Sequence, residues 1–221
     1  MQSTDSTPID SDNSEGWQKV FALALEHGAK WGITFVNDPR WEYDCEKMSN
    51  HAIYESTMWS LGSGVATGLF GFFGLPADLV NTTYSQVKLA SALFTINGFD
   101  MEDDATVTLA IMAGLGVKVR DFVKQFGTQV LIKASESLIQ NMAVRIATSQ
   151  TPKLVSGVLL KLPRPILIKI ISTISGKSLT VPARVIPLIG GLVSGGVNAG
   201  IMNASGHGIL QYIKVIKSRS F

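Results

Sequence analysis

Three histidines and a single cysteine stand among the groups through which this 221-residue chain would do chemistry. His51 follows an acidic segment holding Asp44, Cys45 and Glu46, residue types that bind a transition metal or pair as thiolate and imidazole. Cys45 has no second cysteine to join, which excludes an internal disulfide and a multi-cysteine zinc site. His27 sits at the edge of an amphipathic face, where a solvated boundary position is the simplest reading. His207 lies between Gly206 and Gly208 in a stretch without formal charge, and an ionisable group in such a stretch is a functional candidate. Its simpler reading is a histidine pointing out of a glycine turn. Asp78 is the one charge between Glu55 and Lys88. Two residues after Pro76, it suits the first turn of a helix, where a carboxylate contributes about 0.3–1 kcal/mol. The alternative is a hydrolase of lipid or peptide in which Asp78 and His207 converge from distant parts of the chain.

Spacing removes most other chemistry. There is no H-E-x-x-H and no G-x-S-x-G. Ser85-x-x-Lys88 has the interval of a serine–lysine nucleophile pair, but on a helix the two are simply neighbours. Ser175-Gly176-Lys177-Ser178 imitates the end of a phosphate-binding loop, yet Ile171 stands where its leading glycine belongs. The acidic run at 100–104 lacks the oxygen-ligand spacing of a calcium loop, and helix capping explains it better. No metal and no cofactor are expected, and a non-enzymatic role leads.

The expected framework is all-α: one helical domain over 16–221 with two glycine-rich apolar helical segments, preceded by a disordered acidic tail at 1–15. That tail lacks the basic start and apolar run of a signal peptide. Residues 16–36 read as an amphipathic helix, with Trp17, Val20, Phe21, Ala24, Leu25, Gly28, Trp31, Gly32 and Phe35 on one side and Lys19, Glu26 and Lys30 on the other. Residues 37–47 read as a polar connection. Pro76 opens a helix that Asn97-Gly98 stops, and Asp100 caps the next, which continues through Val123 with loosening at Gly114 and Gly116. Residues 128–149 form another helix, with Val130, Leu131, Ala134, Leu138, Met142 and Ile146 as its stripe, and 165–175 form a further two-faced one. The glycine-rich parts leave β structure open as a local alternative.

Hydrophobic residues make up 46% of the chain and charged ones only 16%, short of the usual quarter or so. The charge is divided very unevenly. Residues 1–113 hold five Lys/Arg against fifteen Asp/Glu, a net of −10, and residues 114–221 hold fourteen against two, a net of +12. A basic half that is also apolar suits an anionic membrane surface, where each nearby Lys or Arg contributes roughly 1 kcal/mol. Lys161, Arg164, Lys169, Lys177 and Arg184 are the lipid-facing candidates. Nucleic acid calls for clustered cations with stacking aromatics, a pattern this half lacks, so no nucleic-acid partner is expected. Residues 57–77 and 185–213 are free of formal charge and long enough to span a bilayer. Their glycines, with Gly64-x-x-x-Gly68, Gly191-x-x-x-Gly195 and Gly196-x-x-x-Gly200, equally suit helices packed closely in a soluble core. Packed soluble helices, shallow insertion and a permanent hairpin all remain open.

The same residues carry a family likeness. The stretch from Gly64 through Gly68, Gly71, Gly74, Pro76, Ala77 and Asp78 to Leu79 resembles the glycine-rich G-x-P-A-D-L block of the EcsC family. Ile96-Asn97-Gly98-Phe99-Asp100 is similar to that family's Y-G-[YF]-D element, with Asn97 where tyrosine is usual. Pro187, Gly190, Gly195 and Asn198 match its I-P-x-x-G-x-x-x-G-x-x-N block. The resemblance implies a bacterial, largely helical protein tied to an ABC-type exporter, and it carries over no catalytic residue. Together these readings lead to a membrane-associated accessory protein, cytoplasmic and peripheral to or inserted in the inner face of the membrane. Its basic half would bind anionic lipid or a transport-linked assembly. The remaining alternative is a soluble interaction module of inhibitor or immunity type, whose acidic half grips a basic partner.

Overall fold

Small and apolar residues recur at every third or fourth position from Trp17 to Phe35, and this stripe is the buried face of helix α1 (Ser11–Val36). The computed structural model describes residues 11–62, 77–148 and 195–218. Among them are seven α-helices and no strand. Helix α1 starts at Ser11, so residues 11–15, expected in the disordered tail, are helical.

The partner of α1 is α3 (Ala77–Ile96), and this is the most extensive contact between two helices in the molecule. Gly28 and Gly32 let the backbones nearly touch. A Cβ on Gly28 would overlap the Lys88 carbonyl oxygen and lie 2.6 Å from Ser91 Cβ, and one on Gly32 would lie 2.7 Å from the Ala92 oxygen. Ser91 Oγ crosses the seam and donates to the Leu25 carbonyl at 2.7 Å. His27 beside Tyr84 and Gly32 beside Thr95 show that the two helices run parallel.

Residues 37–44 turn the chain. Asp38 caps a 3-10 turn at Pro39–Trp41, Glu42 and Tyr43 take left-handed conformations, and Asp44 accepts from the amides of Glu46 and Lys47. Helix α2 (Cys45–Gly62) follows, so the polar connection ends three residues sooner than expected. It buries Met48, Ser49, Ala52 and Ile53 and runs antiparallel to α3. The sequence reading predicted the stop of α3 well. Gly98 has φ +89°, its amide bonds to Thr95, the Phe99 amide reaches back to Phe94, and the Phe94 and Phe99 rings pack at 4.9 Å. The next cap needs correction. Asp103, not Asp100, caps α4 (Asp104–Gly114) by accepting from the Thr106 amide at 2.8 Å, while Asp100 holds the preceding turn through the Glu102 amide.

The long helix expected through Val123 is broken at Gly116 into α4 and α5 (Val119–Phe126), and α6 (Gln129–Thr148) follows Gly127. Leu131, Ala134 and Leu138 of α6 are buried as expected, while the side chains of Met142 and Ile146 are outside the described set. Helix α7 (Gly195–Lys217) returns parallel to α3, with Gln86 Nε2 donating to Ser205 Oγ at 3.1 Å. Residues 195–213 are thus helical, and His207 stands on an exposed helix face rather than in a glycine turn. A Cβ on Gly200 would meet open space, so Gly196-x-x-x-Gly200 is no packing motif. Gly206, by contrast, seats the Ile53 side chain of α2. The two-faced segment at 165–175 lies outside the described residues. Among the described residues, no helix is long and apolar enough to cross a membrane.

Two predictions follow from the packing. Alanine gains about 1 kcal/mol over glycine inside a helix, but overpacking costs about 1–3 kcal/mol. At Gly28 the obstacle is backbone that cannot move without shifting α3. Gly28→Ala is therefore expected to lower stability by up to about 2 kcal/mol net, read as a lower urea midpoint, and a raised midpoint would refute the close approach. Tyr212 is 4% exposed, packs edge-on against Phe122, and its hydroxyl has no partner among the described residues. Burial pushes its phenol well above the ordinary range. The unfolded tyrosine ionises near pH 10 while the folded one stays neutral, so this group costs stability as pH rises through that range. Tyr212→Phe should raise stability by about 1 kcal/mol at neutral pH and reduce the alkaline loss, both read from urea titrations.

Candidate functional site

The closing turn of α3 is where the Asn97-Gly98-Phe99-Asp100 element meets two other helices. Asn97 Nδ2 donates to Ser49 Oγ of α2 at 3.1 Å and to the Leu93 carbonyl at 2.9 Å. Its Oδ1 accepts from Lys217 Nζ, at the end of α7, at 2.9 Å. Cys45 Sγ, at the start of α2, donates to the Ile96 carbonyl at 3.3 Å. Burial holds the Lys217 ammonium below the ordinary lysine range, and the neighbouring Cys45 opposes this in part. One amide side chain thus ties three helix ends, and an ammonium half out of water keeps a good acceptor. These polar atoms bond to other parts of the protein, which makes the cluster a clamp. Gly98 and Asp100 serve it structurally, the one through its positive φ and the other through its turn.

A second polar seam follows α1 and α3. His27 Nδ1 bonds to the Tyr84 hydroxyl, and one turn on Lys88 Nζ sits 5.3 Å from the centre of the Trp31 ring. Burial raises the Tyr84 phenol and lowers the Lys88 ammonium. The lysine of the Ser85-x-x-Lys88 interval is therefore engaged with an indole face, where a cation–π contact contributes about 0.5–2 kcal/mol. His27 is exposed at the boundary, as its position on the wheel implies.

The other expected residues are dispersed. His51 pairs with Glu55 at 3.1 Å and packs on Trp41 at 4.9 Å, whereas Cys45 turns to Ile96, so the two do not form a site together. Among the described residues there is no group of three His, Cys, Asp or Glu that could hold a metal. His207 is exposed on α7; Asp78 lies in the first turn of α3, with its side chain outside the described set. Ala77, Gly195 and Asn198 are helical, while Gly68, Gly71, Gly74, Pro76, Pro187 and Gly190 lie outside the described residues. The lipid-facing candidates Lys161, Arg164, Lys169, Lys177 and Arg184 lie there too, as does Ser175-Gly176-Lys177-Ser178. Sequence reasoning missed Ser49 and Lys217 altogether. It met Asn97 as part of a helix stop and as a departure from tyrosine, not as a tie between helices.

The described part of the basic half is well exposed. Lys118 at the N-cap of α5, Arg120 and Lys124 on α5 and Lys133 on α6 face solvent, with Ile132 and Ile139 of α6 exposed at 46% and 47%. Phe122 of α5 is fully buried, so α5 shows its charged side outward. Comparison with protein-family models, with curated proteins and with solved structures finds no match to this chain.

The clamp makes a testable statement. Hydrogen bonds to charged groups contribute about 1.5–3 kcal/mol, so Asn97→Ala should cost on that order. Its effect should be non-additive with Lys217→Met by about 1 kcal/mol in a double-mutant cycle of urea midpoints. Additive losses would show that the two side chains do not act together.

Proposed function

We propose that this chain is a membrane-associated, non-enzymatic accessory protein of the EcsC type. It works at the inner face of the membrane and binds anionic lipid, or a transport-linked assembly there, through its basic C-terminal half. The observation that carries the reading is the outward face of α5 and α6. There Lys118, Arg120, Lys124 and Lys133 are exposed, Arg120 with Asp121 3.9 Å away, and Ile132 and Ile139 of α6 are exposed as well, in a half of net charge +12. Cations draw a protein to an anionic surface and exposed aliphatic side chains give it something to bury there.

Vesicle co-sedimentation of the full chain tests this. Binding to vesicles containing phosphatidylglycerol is expected at low salt and should weaken as salt screens the charges. With roughly 1 kcal/mol from each cation near the surface, replacing Lys118, Arg120, Lys124 and Lys133 with glutamine should weaken that binding by on the order of a thousandfold. Equal affinity for neutral and anionic vesicles, or an unaffected quadruple variant, refutes the electrostatic reading. Absence of binding to any vesicle refutes the membrane role and leaves the interaction module.

A further inference from the structure

Asparagine loses ammonia most readily when glycine follows it, because glycine has no side chain to keep its amide nitrogen away from the asparagine amide carbon. Asn97-Gly98 is the only such pair in the sequence, and it stands at the centre of the clamp. In the reaction the Gly98 nitrogen bonds to Asn97 Cγ and the Cγ–Nδ2 bond breaks. The Gly98 amide proton leaves with Nδ2 as ammonia. Water then opens the cyclic imide at one carbonyl or the other, which gives aspartate or isoaspartate at position 97. Nothing is oxidised or reduced, and water is the only co-reactant.

The fold restrains both reacting groups. Asn97 continues the ladder of α3, its backbone amide donating to the Leu93 carbonyl at 3.1 Å. Its side chain is held at both atoms: Nδ2 donates to the Leu93 carbonyl and to Ser49 Oγ, and Oδ1 accepts from Lys217 Nζ. The attacking nitrogen is engaged as well, since the Gly98 amide donates to the Thr95 carbonyl at 3.0 Å. Cyclisation needs the side-chain amide turned onto Gly98 and the Gly98 proton given up, so these bonds must open first. Lys217 closes α7, and helix ends are where opening is easiest. We propose that Asn97 is a deamidation site gated by the clamp, stable while Ser49 and Lys217 hold it and converted when they let go. The change runs one way. Aspartate puts an oxygen where Nδ2 now lies 2.9 Å from the Leu93 carbonyl, so two acceptors face each other. Isoaspartate lengthens the main chain just before Gly98, whose left-handed turn carries the amide bonds from Gly98 to Thr95 and from Phe99 to Phe94. Either product weakens the place where α2 and α7 meet the end of α3, and a lasting opening is recorded in the covalent chain. The inference is independent of any membrane role.

The experiment is ageing of the full chain at mildly alkaline pH, with isoaspartate counted by enzymatic methyl transfer and located by peptide mass spectrometry. The folded wild-type protein is expected to convert at position 97 far more slowly than the same chain in urea. A hydrogen bond to a charged group biases an equilibrium by a factor of about ten or more, so Lys217→Met should speed conversion at 97 by about tenfold. Ser49→Ala, the milder change, should speed it by less and carries the test if Lys217→Met loses its helical circular dichroism. Gly28→Ala disturbs the α1–α3 seam and leaves the clamp in place, so its rate at 97 should stay near that of the wild type. Protein converted at 97 should also unfold at a lower urea concentration than unconverted protein. Equal rates in the folded and the urea-unfolded wild type overturn the protection. Unchanged rates in both clamp variants, or an equal acceleration in Gly28→Ala, overturn the gate. Absence of isoaspartate at 97 even in urea removes the site, and equal urea midpoints before and after conversion overturn the loosening.

Discussion

The contact on which the rest of the molecule depends is the meeting of two backbones. Where α1 crosses α3, Gly28 and Gly32 present no side chain, and the carbonyls of Lys88 and Ala92 occupy the space a Cβ would need. At that separation a short hydroxyl reaches from one helix to the other, and Ser91 satisfies its buried oxygen on the Leu25 carbonyl. Thr95, a turn later, donates back to Ser91 within its own helix, so the buried hydroxyls of the seam are both bonded. An unpartnered hydroxyl there would cost about 1–3 kcal/mol. Small residues thus gain dispersion contact and hydrogen bonding together, and any larger side chain forfeits both.

With one face of α3 committed to α1, its remaining faces receive α2, α4 and α7. Its C-terminal turn becomes the place where helix ends converge, and Asn97 is the side chain that joins them. Its N-terminus opens at the opposite end, beside the finish of α2 and the start of α7. The seam of His27, Tyr84, Trp31 and Lys88 runs along its flank, where burial disfavours the ionised forms of Tyr84 and Lys88. The polar groups brought together in these places bond to one another, and the exposed groups that stand out are cations, isoleucines and aromatics.

Elements were legible in the sequence where one local rule acted alone. The stripe from Trp17 to Phe35 is periodic, and it is the buried face of α1. Asn97-Gly98 ends α3 because glycine adopts the left-handed conformation the turn requires. Elements were misread where two rules competed. Four acidic residues between 100 and 104 can each cap a helix, and only the geometry of the turn decides that Asp103 does so while Asp100 closes the loop before it. Helix α2 escaped notice because its buried face is small, with Ser49 and Ala52 among it, and because exposed Tyr54, Met58 and Trp59 blur the period. The span from 104 to 126 is apolar enough to read as continuous, and Gly116 breaks it.

Composition and periodicity alone determined that the chain is helical, that its halves oppose each other in charge, and where several helices begin and end. These are properties of short stretches, set by backbone propensity and by which side chains avoid water. Which glycines bear on packing was decided only by tertiary structure. Gly196-x-x-x-Gly200 has the familiar spacing and Gly200 faces open space, while Gly28-x-x-x-Gly32 carries the central contact. The joining of Ser49, Asn97 and Lys217 was likewise invisible in the sequence. Close approach and convergence depend on how helices far apart in the chain are placed against one another, and no local pattern of residues encodes that placement.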